Sequence, residues 1–120
     1  MSISIIGGSV SPSTALTLNA QTGTTYTFVL TDANNTLVTA SNASAQTYTI
    51  PPNSSVAYPI GSQINIIAIG AGQVSFAQGS GVTIASNGAT STAPKLRVQY
   101  SSASAVKVNT DSWYVIGDIS

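Results

Sequence analysis

The sequence predicts an all-β fold, a single small antiparallel β-sandwich or barrel of about nine short strands with an N-terminal arm. Side chains alternate at a period of two along almost the whole chain, and no stretch carries a convincing helical period. Clusters of Gly, Pro, Asn, Asp and Ser interrupt that alternation at short, regular spacing, as turns do in all-β domains. A length of 120 residues suits one domain with one core.

Residues 1–14, MSISIIGGSVSPST, differ in character from the rest of the chain. Ile3, Ile5 and Ile6 precede Gly7, Gly8 and Pro12, a run too broken for a central strand and too apolar for an ordinary disordered tail. The segment reads either as an arm ahead of a domain spanning 15–120 or as an edge strand of that domain. Next, ALTL and TTYTFVL flank NAQTG and suggest a hairpin, with Tyr26, Phe28 and Leu30 on one face and Thr25, Thr27 and Val29 on the other. DANN is a turn, TLVTA a strand, SNAS a turn, and QTYTI a strand that stops at Pro51 and Pro52, since proline cannot donate to a ladder.

In QINIIAI the residues Ile64, Ile66 and Ala68 alternate with Asn65 and Ile67, and GAG then marks a bulge or a tight corner where only glycine fits. QVSFA and VTIA flank the turn QGSG, so Val74, Phe76, Val82 and Ile84 are expected on one buried face. A loop, SNGATSTAP, leads to a strand KLRVQY, a connection SSAS, and a last hairpin AVKVNTDSWYVIG turning at residues 109–111.

Composition narrows the function classes. Three basic and three acidic side chains make 5% of the chain charged, where an ordinary domain has about 25%. Lys95, Arg97 and Lys107 are too few to neutralise a phosphate backbone, so no nucleic-acid partner is expected. No secretory signal opens the chain and no apolar run reaches bilayer length, so no membrane partner is expected either. Zero net charge removes the repulsion that keeps copies apart and eases assembly.

Catalysis and cofactors find little support. Without His or Cys there is no Ser-His or Cys-His nucleophile system and no thiolate metal site. A carboxylate pair from Asp32, Asp111 and Asp118 is the remaining catalytic option, but Asp32 and Asp111 stand in turn contexts, where Asp bonds its own backbone. GAGQVS lacks the third glycine and the following helix of a phosphate loop, and DANN reads as a turn before it reads as a calcium ligand set. The sequons at Asn34, Asn42 and Asn53 follow from an Asn-, Ser- and Thr-rich composition. No catalytic residue, metal or cofactor is expected. Tyr48, Tyr58, Tyr100, Trp113 and Tyr114 offer stacking surfaces for a sugar, with core and interface roles as the alternative; adjacent Trp113 and Tyr114 must face opposite sides of their strand.

TYTIPPNSSVAYPIGSQINIIAIGAGQVSFAQGSGVTI followed by VKVNTDSWYVIGD resembles a small β-rich module of tailed-bacteriophage virion proteins, among them capsid-decoration, head-fibre and tail-fibre proteins. The resemblance rests on Ile50 and Pro51, Gly61 and Ile64, Gly70 and Gly72 through Val74, Gly81 to Ile84, and then Lys107, Thr110, Asp111, Trp113, Gly117 and Asp118. It covers residues 15–118, and the polar stretch SNGATSTAPKLRVQYSSAS departs from it. It implies a non-enzymatic virion component. Met1 and Ser2 read as a natural start, and a short arm before a compact module suits a capsid decoration, or cement, protein rather than a fibre tip. The expectation is therefore a homotrimer, made in the host bacterial cytoplasm and placed on the outer capsid surface at threefold positions. There it would bind the major capsid protein through Ile3, Ile5 and Ile6 and stabilise the head. Lys95, Arg97 and Lys107 are available to pair with acidic shell residues, although solvated surface positions are the simpler assignment. The alternative is a fibre module that recognises host surface glycans; a third class is a bacterial surface adhesin.

Overall fold

The computed structural model describes residues 15–120, so the arm assigned to 1–14, with Ile3, Ile5 and Ile6, lies outside the described residues. Within them nine strands form: β1 Thr17–Gln21, β2 Thr25–Thr27, β3 Thr36–Ala40, β4 Gln46–Ile50, β5 Gln63–Ala68, β6 Val74–Gln78, β7 Thr83–Ala85, β8 Ser102–Asn109 and β9 Ser112–Gly117. A 3₁₀ turn, Leu30–Ala33, is the helical element among them.

The strands form a six-stranded sheet in the order β1-β3-β5-β8-β9-β7 and a three-stranded sheet β2-β4-β6. Five of the seven strand pairings are parallel; β5 with β8 and β8 with β9 are antiparallel. The expectation of an antiparallel sandwich or barrel is corrected accordingly: the chain is strand-dominated, with a mixed sheet. Parallel neighbours need a long crossover between them. Through β1 to β6 the crossover is itself a strand of the opposite sheet, so odd strands stack on odd and even on even, giving three rungs.

Between the second and third rungs both sheets keep one register interval. Val38 lies opposite Ile66 and Tyr48 opposite Phe76, 28 positions apart in each case. The corners that carry the chain from one sheet to the other also stack. Gly72 N–H donates to Asn42 O at 2.8 Å, and a Cβ on Gly72 would sit 1.9 Å from Ser44 O. The corner at GAG is glycine because another backbone lies against it. NAQTG is likewise a corner between sheets and not a hairpin, since β1 and β2 belong to different sheets.

Between the sheets lies the core. Tyr26, Tyr48 and Phe76 stand in register down the three-stranded sheet, with Tyr26 and Tyr48 5.5 Å apart and Phe28 packing at 5.8 Å from Tyr48 and 6.3 Å from Phe76. Each such pair adds about 0.5–1.5 kcal/mol beyond its area. Facing them are Val38, Ala40, Ile64, Ile66 and Ala68, all buried. Val74, Phe76, Val82 and Ile84 are all buried, but the expectation of one shared face is corrected: β6 belongs to the three-stranded sheet and β7 to the six-stranded one, so QGSG crosses between sheets, and Trp113 and Val115 extend the core under β7 and β9.

The two ends of the stack differ. At the third rung β8 covers the edge of β5, and residues 94–96 run along β6, with Phe76 N–H donating to Pro94 O at 2.9 Å and Leu96 N–H to Val74 O at 2.9 Å. At the first rung no described strand covers the outer edge of β1 or β2.

Three local expectations are corrected. The strand placed on TTYTFVLT ends at Thr27 because the Asp32 carboxylate takes Val29 N–H at 3.0 Å and bends the chain into the 3₁₀ turn, which leaves Leu30 exposed. KLRVQY contributes isolated bridges at Lys95 and Leu96 and then turns, because Tyr100 N–H is drawn to Ala68 O at 2.6 Å. SSAS is mostly strand, since β8 begins at Ser102.

Candidate interaction surfaces

The motif residues behind the phage resemblance serve as framework. Pro51 is buried where β4 ends. Gly61 and Gly81 adopt φ of +92° and +77°, the left-handed region that glycine enters without strain. Gly117 at φ +148° brings its backbone so close to β8 that a Cβ would lie 2.5 Å from Ser102 O. Gly70 and Gly72 are the stacked corner, and Trp113 meets Tyr58 edge-on at 5.2 Å.

Lys107 is 2% exposed, so a solvated or shell-pairing position is corrected for it. β8 alternation aims it inward, where Nζ donates to Asn53 Oδ1 and to Tyr58 O, each at 2.7 Å. Asp111 accepts Asn53 N–H at 2.7 Å, so one knot fastens the proline loop, residues 51–62, to the β8–β9 hairpin. Arg97 is engaged by Asp118 at 2.7 Å, which leaves Lys95 as the exposed cation with no ion pair among the described residues. Arg97 and the Ser101 hydroxyl, at 2.6 Å, hold the Asp118 carboxyl below the usual carboxylate range. That clamp supports a turn in which Tyr100, 67% exposed, takes φ +70°.

The three carboxylates thus serve different elements. Asp32, 1% exposed, accepts from Asn19 Nδ2 at 2.8 Å, Tyr26 OH at 2.7 Å and Val29 N–H at 3.0 Å. Burial, and then Asp32 itself, push the Tyr26 phenol up to about 12. No cluster of three metal-ligating side chains occurs among the described residues.

Two surfaces of the described residues bear on partners. The first is the end of the stack that no described strand covers. A hollow of about 560 Å³ lies there over Asp32, walled by Leu18, Asn19, Tyr26 and Val29, and Leu18 is 66% exposed. The second is the outer face of the six-stranded sheet. Leu18, Leu37, Asn65, Ser104 and Ile116 share one register row, and Gln63, Val106, Tyr114 and Ala85 another. No charged side chain stands in either row.

Of the five aromatics considered as sugar-stacking surfaces, Tyr48, Tyr58 and Trp113 are core, while Tyr100 and Tyr114 are exposed. Trp113 and Tyr114 do face opposite sides of β9. Composition gave no signal for Lys107 inside or for the bare rung end, because both depend on which distant segments meet.

The chain matches no family model and no curated protein sequence. No helix among the described residues is long and apolar enough to cross a membrane.

Proposed function

We propose that this protein is a non-enzymatic structural component of a tailed-bacteriophage virion, a decoration protein that binds the outside of the assembled head as a homotrimer and stabilises it. The observation that carries the reading is the asymmetric stack: one end is capped, and at the other no described strand covers the edges of β1 and β2, where exposed Leu18 and Val29 line a hollow. Uncovered strand edges favour pairing with another chain, and natural proteins blunt them when no partner is intended. The inward carboxylate of Asp32 protects this end in the free protein, and a partner segment of the major capsid protein completes it. Asn35 Nδ2 donates to Ala15 O at 3.0 Å at this same end, and the reading assigns the anchor to the arm, residues 1–14. Three modest contacts in one trimer then act as a single strong one on the shell.

The test mixes purified protein with decoration-free phage heads and measures stoichiometry and the temperature of DNA release. Saturable binding in multiples of three with a raised release temperature supports the proposal, and Leu18→Asp, an exposed position, abolishes binding while leaving the fold intact. A protein that ignores heads but adheres to host cells overturns capsid docking and favours the fibre reading.

A further inference from the structure

We propose that the outer face of the six-stranded sheet, at β5, β8 and β9, is a binding platform for neutral carbohydrate. The proposal does not rest on capsid docking. Its polar centre is a triad of uncharged side chains from two strands. Gln63 Nε2 donates to Asn65 Oδ1 at 2.8 Å and to Ser104 Oγ at 3.2 Å, and Ser104 Oγ donates to Asn65 Oδ1 at 2.7 Å. Two donors on Asn65 Oδ1 fix the orientation of that amide. Asn65 Nδ2 and Gln63 Oε1 have no side-chain hydrogen bond among the described residues, so the face offers one oriented donor and one acceptor. Adjacent hydroxyls of a sugar, each both donor and acceptor, match such a pair.

The apolar half of the platform lies alongside. Register places Ile116 opposite Ser104, and Tyr114 opposite Val106, which in turn faces Gln63. Tyr114 and Ile116 are 53% and 61% exposed. Two strand spacings separate Gln63 from Tyr114, roughly 10 Å, the scale of a short oligosaccharide. A rigid ring of this kind covers the C–H face of a sugar at low entropic cost.

Charge selects the ligand class. The surrounding outward positions, Leu37, Ile67, Ser102, Val106 and Val108, are uncharged, so nothing on the face attracts a phosphate or carboxylate, and a neutral glycan loses no ionic hydration on docking. β3 separates the triad from the bare edge of β1, so the platform stays accessible when the stack end is occupied.

The experiment is an array of neutral and acidic bacterial surface polysaccharides, followed by an NMR titration of the full chain with the best neutral hit. Neutral glycans bind, backbone shifts centre on Asn65, Ser104 and Tyr114, and Tyr114→Ala weakens binding about tenfold. Asn65→Ala also weakens it, while Thr47→Ala on the opposite sheet does not. All three are surface changes whose folding is checked by the unchanged remainder of the spectrum. Binding of acidic glycans alone, absence of binding at millimolar sugar, or binding that survives both platform variants overturns the proposal. So does an oligomer that dissociates on Tyr114→Ala without any sugar binding, which makes the face a subunit contact.

Discussion

Tyr48 brings into the core a hydroxyl that has no hydrogen-bond partner among the described residues, while its neighbour in the next rung, Phe76, has none to satisfy. An unpaired buried polar group costs about 1–3 kcal/mol. Tyr48→Phe is therefore expected to stabilise the fold by about 1 kcal/mol in urea denaturation, and a loss of stability would mean that the hydroxyl is bonded. Lys107 is the opposite case. Its Nζ fills two acceptors on the proline loop, so Lys107→Ala leaves Asn53 Oδ1 and Tyr58 O unsatisfied and opens a void, for about 2–4 kcal/mol. Lys107→Met restores volume but not the donors and falls between wild type and Ala; a value for Ala within the error of wild type would remove the knot from the account. Sequence alternation separated Trp113 from Tyr114, but Lys107 was expected at the surface, and β8 instead sets it on the buried side with Ala103 and Ala105. Its acceptors come from 49 and 54 positions away, and no local pattern announces them.

Turn chemistry states that a chain changes direction but not which sheet it enters. That is why the strands at TLVTA, QTYTI, QINIIAI and QVSFA were legible while their partners were not. The 28-position register preserves the class of side chain more than its identity: Ala40 repeats as Ala68, but Val38 becomes Ile66 and Tyr48 becomes Phe76. Such a repeat is hidden from inspection of the letters. The glycine corner was legible as a place where only glycine fits, while the backbone that approaches it was not, and it permits a comparison between elements. At Gly72 an added Cβ meets the Ser44 carbonyl oxygen at 1.9 Å and the Asn42 carbonyl oxygen at 2.7 Å, so the rungs must part. At Gly81 the Cβ meets open space, and the cost is the left-handed backbone alone. Gly81→Ala is expected to lose about 1–2 kcal/mol. Gly72→Ala should lose more than about 3 kcal/mol, or fail to fold. Equal losses in thermal or urea unfolding would show that the corners do not stack as tightly as their geometry requires.

At the scale of the whole molecule, a neutral chain with 5% charged residues depends little on long-range electrostatics, and the absence of charge from the candidate platform was readable in the composition. The triad was not, because Ser104 lies 39 positions from Asn65 and meets it through the β5–β8 pairing. With no histidine, no side chain has its ordinary pKa between pH 5 and 8, so stability should vary little there. The alkaline limb differs. Burial raises Tyr26 and Tyr48 to about 12, with Asp32 adding to the effect at Tyr26, and burial pushes Tyr58 up as well. Phenols in the unfolded chain ionise near about 10. Because the folded values are raised, the neutral phenols contribute stability in full below about pH 10. That contribution is lost as pH climbs through the folded values. The thermal midpoint should therefore decline from about pH 10 upward, and phenolate absorbance from Tyr26 and Tyr48 should appear together with loss of the β-sheet circular dichroism signal. If Tyr48→Phe and Tyr26→Phe remove absorbance that rises near pH 10 while the sheet signal is still native, those two rings are not buried against each other, and the aromatic ladder at the centre of the stack is wrong.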